Sequence, residues 1–282
     1  MLDSALGAAI LAACAILAYA GSSALYITNI FRPGTLVARG ATALGVAGAT
    51  LNLWALYERA VVLHSVPYRD LLGSMTLFGF FLAFLSLVLE LRHHDRSLGP
   101  FLMPTALLLL VLALLARHSP APAGPGQKGS VFALHVTLNM LAYAAFAVAS
   151  ALSVLYLAVV RSLKSRSTKA LSGPASRLPS LGYLERANRT SLGVGVVALF
   201  LGLALGLYWA MRIWWPEHPG WALDPKIAAA VVTFVFYLVV LVRAHRGAPP
   251  VSTAKLSLIG FALVVVSYTA VNLLFSRLHA FA

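Results

Sequence analysis

"LGVGVVALFLGLALGLYWAMRIWWPEHPGWALDPKIAAAVVTFVFYLVVLV", residues 192–242, decides the fold. Two long apolar runs flank thirteen residues, 214–226, that hold three tryptophans, a glutamate, a histidine and Asp224-Pro225-Lys226. Each flanking run approaches the ~20 residues at 1.5 Å rise that a helix needs to cross a bilayer. The tryptophan-rich segment is then a loop at one membrane face.

Working outward, the same pattern recurs. Of the 282 residues, 60% are hydrophobic and only 10% charged. Soluble domains carry about a quarter charged residues, so a water-soluble fold is excluded. Eight spans are expected, at about 5–30, 38–58, 71–91, 99–116, 131–160, 191–212, 226–243 and 255–277. The fold class is therefore all-α, a polytopic helical membrane bundle. So little polar chain remains that residues 1–282 form one membrane domain. The N-terminal run has Asp3 and lacks a basic flank, which points to a retained span rather than a cleaved signal. Cys14 is the single cysteine, so neither an internal disulfide nor CxxC chemistry is available.

The net charge of +13 is read as basic loops facing the cytoplasm, not as a nucleic-acid surface. With eight spans, fourteen of the 21 Lys and Arg residues fall on one side, many of them in the 161–189 loop, and seven on the other. The richer side is cytoplasmic by the positive-inside rule. Both termini and the tryptophan loop then lie outside, on the periplasmic side of the inner membrane. The 161–189 loop reads as a cytoplasmic linker ending in a short interfacial helix. Only Glu58 and Glu90 approach the spans as acids, each at a span end.

Eight histidines remain to be sorted. His93 and His94 lie among charges, and His64, His118 and His218 are in or beside outer loops. His135 opens the fifth span in "VFALHVTLNML", and His279 closes the eighth in "NLLFSRLHAFA", both at the outer level. A buried imidazole needs a partner. Either ring could be a hydrogen-bonded interfacial residue, but two at one depth beside a tryptophan-rich loop suit axial ligation of haem iron. No HExxH or Cys/His cluster supports zinc, and no phosphate loop or nucleophile elbow occurs.

The loop ending "WALDPK", the closing "LSLIGFALVVVSYTAVNLLFSRLHAF", and the upstream "FALHVTLNMLAYAAFAVASALSVLYL" and "LPSLGYLERANRTSLGVGVVALFLGLALGLYWA" together resemble the cytochrome c assembly family. That family includes the CcsA, CcmC, CcmF and HemX-like proteins, with a tryptophan-rich "WWD" segment corresponding here to 209–226. About two thirds of the chain is covered, extending weakly through "HSVPYRDLLGSMTLFGF". The resemblance implies that haem b is held as cargo at the outer face, with His135 and His279 as iron ligands. Trp214, Trp215 and Trp221 would form a flat apolar shelf in the loop, against which the haem edge lies. Asp224 and Pro225 would fix the turn, and Lys226, with Arg212 or Arg277, would meet the haem propionates or simply snorkel to the interface. Tyr143 and Asn272 match further recurrent positions.

There are departures from the family pattern. Ile227 stands where an acid usually follows the loop, Phe234 after Thr233 where a tryptophan usually follows threonine, and Gly73 replaces an acid. A further family histidine near the inner end of the seventh span aligns with Val242, and His245, one turn on, is the candidate substitute. The function implied is presentation of haem for covalent attachment to the CxxCH segment of apocytochrome c, as part of a holocytochrome c synthase (haem-lyase) system. No acid–base pair marks a catalytic residue, and a CcsB-like or other membrane partner would keep the thiols reduced. Two alternatives stay open: a HemX-like protein that binds haem or regulates its synthesis without attaching it, and a transport or structural subunit without haem.

Overall fold

The computed structural model describes residues 2–64, 66–68, 70–115, 129–164, 179–213 and 225–266. Among them it is all-helical: α1 (Leu2–Phe31), α2 (Thr35–Leu63), α3 (Leu71–His93), α4 (Gly99–Leu115), α5 (Ser130–Lys164), α6 (Leu181–Ile213), α7 (Pro225–His245) and α8 (Pro250–Val266). All but α4 and α8 are long and apolar enough to span a membrane. The chain is thus a polytopic helical membrane bundle.

Two local features differ from the sequence expectation. The expected interfacial helix and the sixth span are one continuous helix of 33 residues, α6, because no Gly-Pro break or cap separates Leu181 from the apolar run. The eighth helix starts at Pro250, earlier than 255, since proline is well suited to a helix's first turn. The expected continuation of that span to 277 lies outside the described residues.

Several helix ends are set by local chemistry. Asp70 caps α3, its Oδ1 accepting from the Gly73 N–H at 2.8 Å, which meets one of the orphan donors of a helix start. His64 and His94 end α2 and α3 in the left-handed region, at φ 47° and 56°. Histidine tolerates that region better than bulkier residues do, which gives both rings a place in chain reversal.

Three apolar clusters run through the bundle. One joins α1 to α4, one joins α5 to α8, and the third bridges the halves, mainly through α3, α5 and α6. The pairs α5·α6 and α1·α2 pack most extensively. Between α5 and α6 the packing works through glycine. Gly195 faces the Phe146 ring, Gly202 faces the Asn139 amide and Gly206 faces the His135 ring. As the α6 number rises, the α5 number falls by the same amount, so the helices run antiparallel in one fixed register. Small residues are how helices approach closely where lipid removes the hydrophobic drive to associate. Phe146 also stacks flat on Tyr237 of α7, with centroids 3.6 Å apart.

Buried polar groups tie helices together where water is absent. Asn188 of α6 donates to the Ala149 carbonyl at 2.7 Å and the Ser153 hydroxyl at 2.9 Å. At the end of the bundle remote from His135, Glu90 is almost wholly buried. Its carboxylate accepts from Tyr26 (2.5 Å), Thr42 (2.5 Å) and Arg96 (3.0 Å), joining α1, α2, α3 and the α3–α4 turn.

Candidate functional site

His135 lies in the second turn of α5 and is partly buried against α6. Its Nδ1 is 2.7 Å from the Gly202 carbonyl oxygen and 3.2 Å from the Asn139 amide nitrogen. A carbonyl oxygen can only accept, so the shorter contact requires a proton on Nδ1. Asn139 meanwhile donates to the His135 carbonyl at 2.7 Å, a shorter contact than its 3.2 Å approach to the ring. In the neutral ring the lone pair is then on Nε2. This is the usual arrangement of a ligating histidine, whose other N–H is held by an oxygen that fixes tautomer and orientation.

Gly202 and Gly206 allow the arrangement. A Cβ at Gly202 would lie 2.9 Å from the Asn139 amide nitrogen, and one at Gly206 only 2.5 Å from His135 Nδ1. The ring occupies the space of absent α6 side chains.

The segment before α3 reaches the same place. Tyr68 Oη is 2.7 Å from Thr137 Oγ1 and donates to the Ala133 carbonyl at 3.1 Å, bracketing His135 along α5. Burial pushes the Tyr68 phenol above its usual range, and the Thr137 contact partly offsets this. Tyr68 can reach α5 because its backbone folds over Gly73, where a Cβ would stand 2.6 Å from Tyr68 Cα. That crowding explains the departure at Gly73: an acid there would displace the segment. Arg59 of α2 pairs with the capping Asp70, anchoring the segment's other end.

Aromatic groups gather at this end. Phe132 and Trp209 have ring centroids 5.4 Å apart, and the Arg212 guanidinium lies 5.4 Å over the Tyr208 ring. An imidazole with its tautomer fixed, flat rings and a cation are suited to the iron, face and propionates of a porphyrin.

The other expected site residues divide clearly. Pro225 and Lys226 open α7. Trp214, Trp215, Trp221, Asp224, Asn272, Arg277 and His279 lie outside the described residues. Tyr143 packs half-buried beside the α5–α6 core. His245 is exposed at the far end of α7, its Nδ1 2.9 Å from its own helix's Leu241 carbonyl. His135 and His245 are therefore at opposite ends of the bundle. Sequence reading missed Tyr68, Asn139, Gly202 and Gly206. A seven-residue step links Asn139 to Phe146 and Gly202 to Gly195, and that spacing is the only trace of the pairing in the sequence.

Similar chains include the cytochrome c biogenesis protein CcsA of Porphyra purpurea, 25% identical over 255 residues, covering 76% of this chain and 78% of the relative. CcsA of Microcystis aeruginosa is 26% identical over 289 aligned residues, covering 86% and 87%. CcsA of Chlamydomonas reinhardtii is 26% identical over 192 residues, covering 66% and 52%. The model of the "Cytochrome C assembly protein" family matches residues 68–279, from the tyrosine that brackets His135 to the C-terminal histidine, and the chain belongs to that family.

Proposed function

We propose that this protein handles haem in cytochrome c biogenesis. It holds haem b at the outer membrane face between His135 and His279 and presents it to the CxxCH segment of apocytochrome c. Family membership and the CcsA relatives support the process. The observation that carries the site is the Nδ1–Gly202 contact, which leaves His135 with its lone pair on Nε2. In this reading His279 supplies the opposite iron ligand. Trp214, Trp215 and Trp221 give the apolar shelf, Asp224 sets the turn, and Lys226 with Arg212 meets the propionates. The chain's contribution is to bind, orient and shield the porphyrin so that an incoming thiol pair meets its edge in a fixed geometry. A membrane partner of CcsB type is proposed to supply reduced thiols, and the inner membrane is the proposed location, with the His135 end outside.

Deleting the gene should abolish covalent haem staining of c-type cytochromes. Wild type should restore it, and His135→Ala should not. Normal staining in the deletion strain would refute the attachment role.

A second reading has its own support. Val242, where the family has a further histidine, carries no ligand, and His245 is exposed. A protein with the outer site alone would bind haem without passing it through the membrane, as the HemX-like members are understood to do. Normal c-type cytochromes in the deletion strain, together with haem in the purified protein, would select this reading.

A further inference from the structure

The half of the bundle without His135 contains a cleft that the haem reading does not use. It has a volume of about 290 Å³ and opens among α1, α2, α3 and α4, at the end of the bundle where His135 lies. Ala8, Ala9 and Ala12 of α1, Leu56 of α2, and Leu110 and Ala113 of α4 make an apolar wall. Asn52 of α2 interrupts it and is fully buried.

The Asn52 amide is only half satisfied. Its Nδ2 makes two long contacts, 3.4 Å to the Thr76 carbonyl and 3.5 Å to Tyr19 Oη. Its Oδ1 has no hydrogen-bond partner among the described residues. Exchanging oxygen and nitrogen would let the Tyr19 hydroxyl donate across 3.5 Å, but it would set the oxygen against the Thr76 carbonyl at 3.4 Å and strand the amide's donors instead. A buried amide oxygen without a donor is costly, more so within a bilayer. Asn52 lies eleven residues before Leu63, the end of α2, or about 17 Å along the axis, within the hydrocarbon.

Three occupants can be compared. Water would fill the volume with about ten molecules at ~30 Å³ each, yet each needs two to four polar partners and the wall is almost wholly apolar. A phospholipid keeps its polar groups at the interface and brings an anion, whereas Arg59, on the cleft wall, is already paired with Asp70. An apolar body with one hydroxyl matches both the wall and the lone acceptor. We propose that this cleft binds a membrane-dissolved alcohol or phenol, its hydroxyl donating to Asn52 Oδ1 and its apolar body lying against the α1 alanines. The site is independent of the haem reading.

The test uses the full protein in lipid nanodiscs with two photoreactive probes, a diazirine-bearing octanol and its methyl ether. Mass spectrometry should locate both adducts on the α1, α2 and α4 walls, with the alcohol labelling about fivefold better, the worth of one net hydrogen bond. Asn52→Leu should bring the ratio to one while labelling persists, and Ala12→Trp should suppress both probes. Competition in the wild-type protein needs no variant: octanol should displace the alcohol probe, and octyl methyl ether should do so about fivefold less well. Equal labelling by the two probes in wild type, adducts away from these walls, or a phospholipid recovered as the bound species would each overturn the proposal.

Discussion

Adding one methyl group at Gly206 probes the site most sharply. The new Cβ would lie 2.5 Å from His135 Nδ1, where ordinary contacts begin at 3.4 Å. The ring must retreat by about 1 Å, and it cannot do so and keep its 2.7 Å contact to the Gly202 carbonyl. The net loss of that hydrogen bond costs ~1 kcal/mol and overpacking ~1–3 kcal/mol, against a gain of up to ~1 kcal/mol for replacing a helical glycine. Gly206→Ala should therefore be destabilising by about 1–3 kcal/mol. Gly193, on the same helix, has nothing within 4 Å of its would-be Cβ. Gly193→Ala should thus show only the gain, and the two variants should shift thermal unfolding in detergent in opposite directions. Gly206→Ala should also weaken haem retention and broaden the Soret band, while Gly193→Ala leaves the spectrum unchanged. If Gly206→Ala is as stable as wild type and spectrally identical to it, the close α5–α6 approach and the fixed ring are both wrong.

Other outcomes follow from the same geometry. Tyr68→Phe removes the bracket on α5 and should cost about 1 kcal/mol. Because burial raises the Tyr68 pKa, that contribution should be complete below about pH 10 and vanish as pH climbs through the raised value, readable as a pH-dependent gap between the two unfolding curves. Glu90→Ala strands Tyr26, Thr42 and Arg96; it should destabilise by about 2 kcal/mol, below the range for fully buried pairs because Arg96 is partly exposed. In a background with Cys14 replaced, cysteines at Ser130 and Ala282 should react with an impermeant thiol reagent from outside, and one at Ser172 should not; the reverse pattern would invert the topology. His245→Ala should reduce haem loading in cells while sparing haem added after purification if an inner path exists, and normal loading would dismiss that path.

The helical class and the eight helices among the described residues were legible because 18-residue apolar runs have few other readings. Helix ends were less so. The polar stretch before Ser191 reads as a separate short interfacial helix, and nothing in it announces that it runs without a break into the sixth span, because helical periodicity alone does not say where one helix stops and the next starts. His135 was legible as a polar residue at the mouth of an apolar span. Its partner was not, because the Gly202 carbonyl is a backbone atom sixty-seven residues away and leaves no side-chain signature. Gly73 looked like a missing acid, whereas the fold uses the missing Cβ. Glu90 was legible as a span-end acid, but its burial by packing of α1 and α2 over the end of α3 was not. Asn52 lies inside an apolar helix, and nothing in the sequence around it shows that its oxygen has no donor among the described residues.

The central claim is that one haem sits between His135 and His279. The measurement is the visible spectrum of the purified protein and of the two alanine variants, recorded with and without imidazole. Wild type should show the Soret and α bands of a six-coordinate, low-spin haem. Each of His135→Ala and His279→Ala should lower haem occupancy and shift the Soret band, and imidazole should partly restore the wild-type spectrum. Unchanged spectra in both variants, or purified wild-type protein without haem after growth in haem-replete cells, would contradict it.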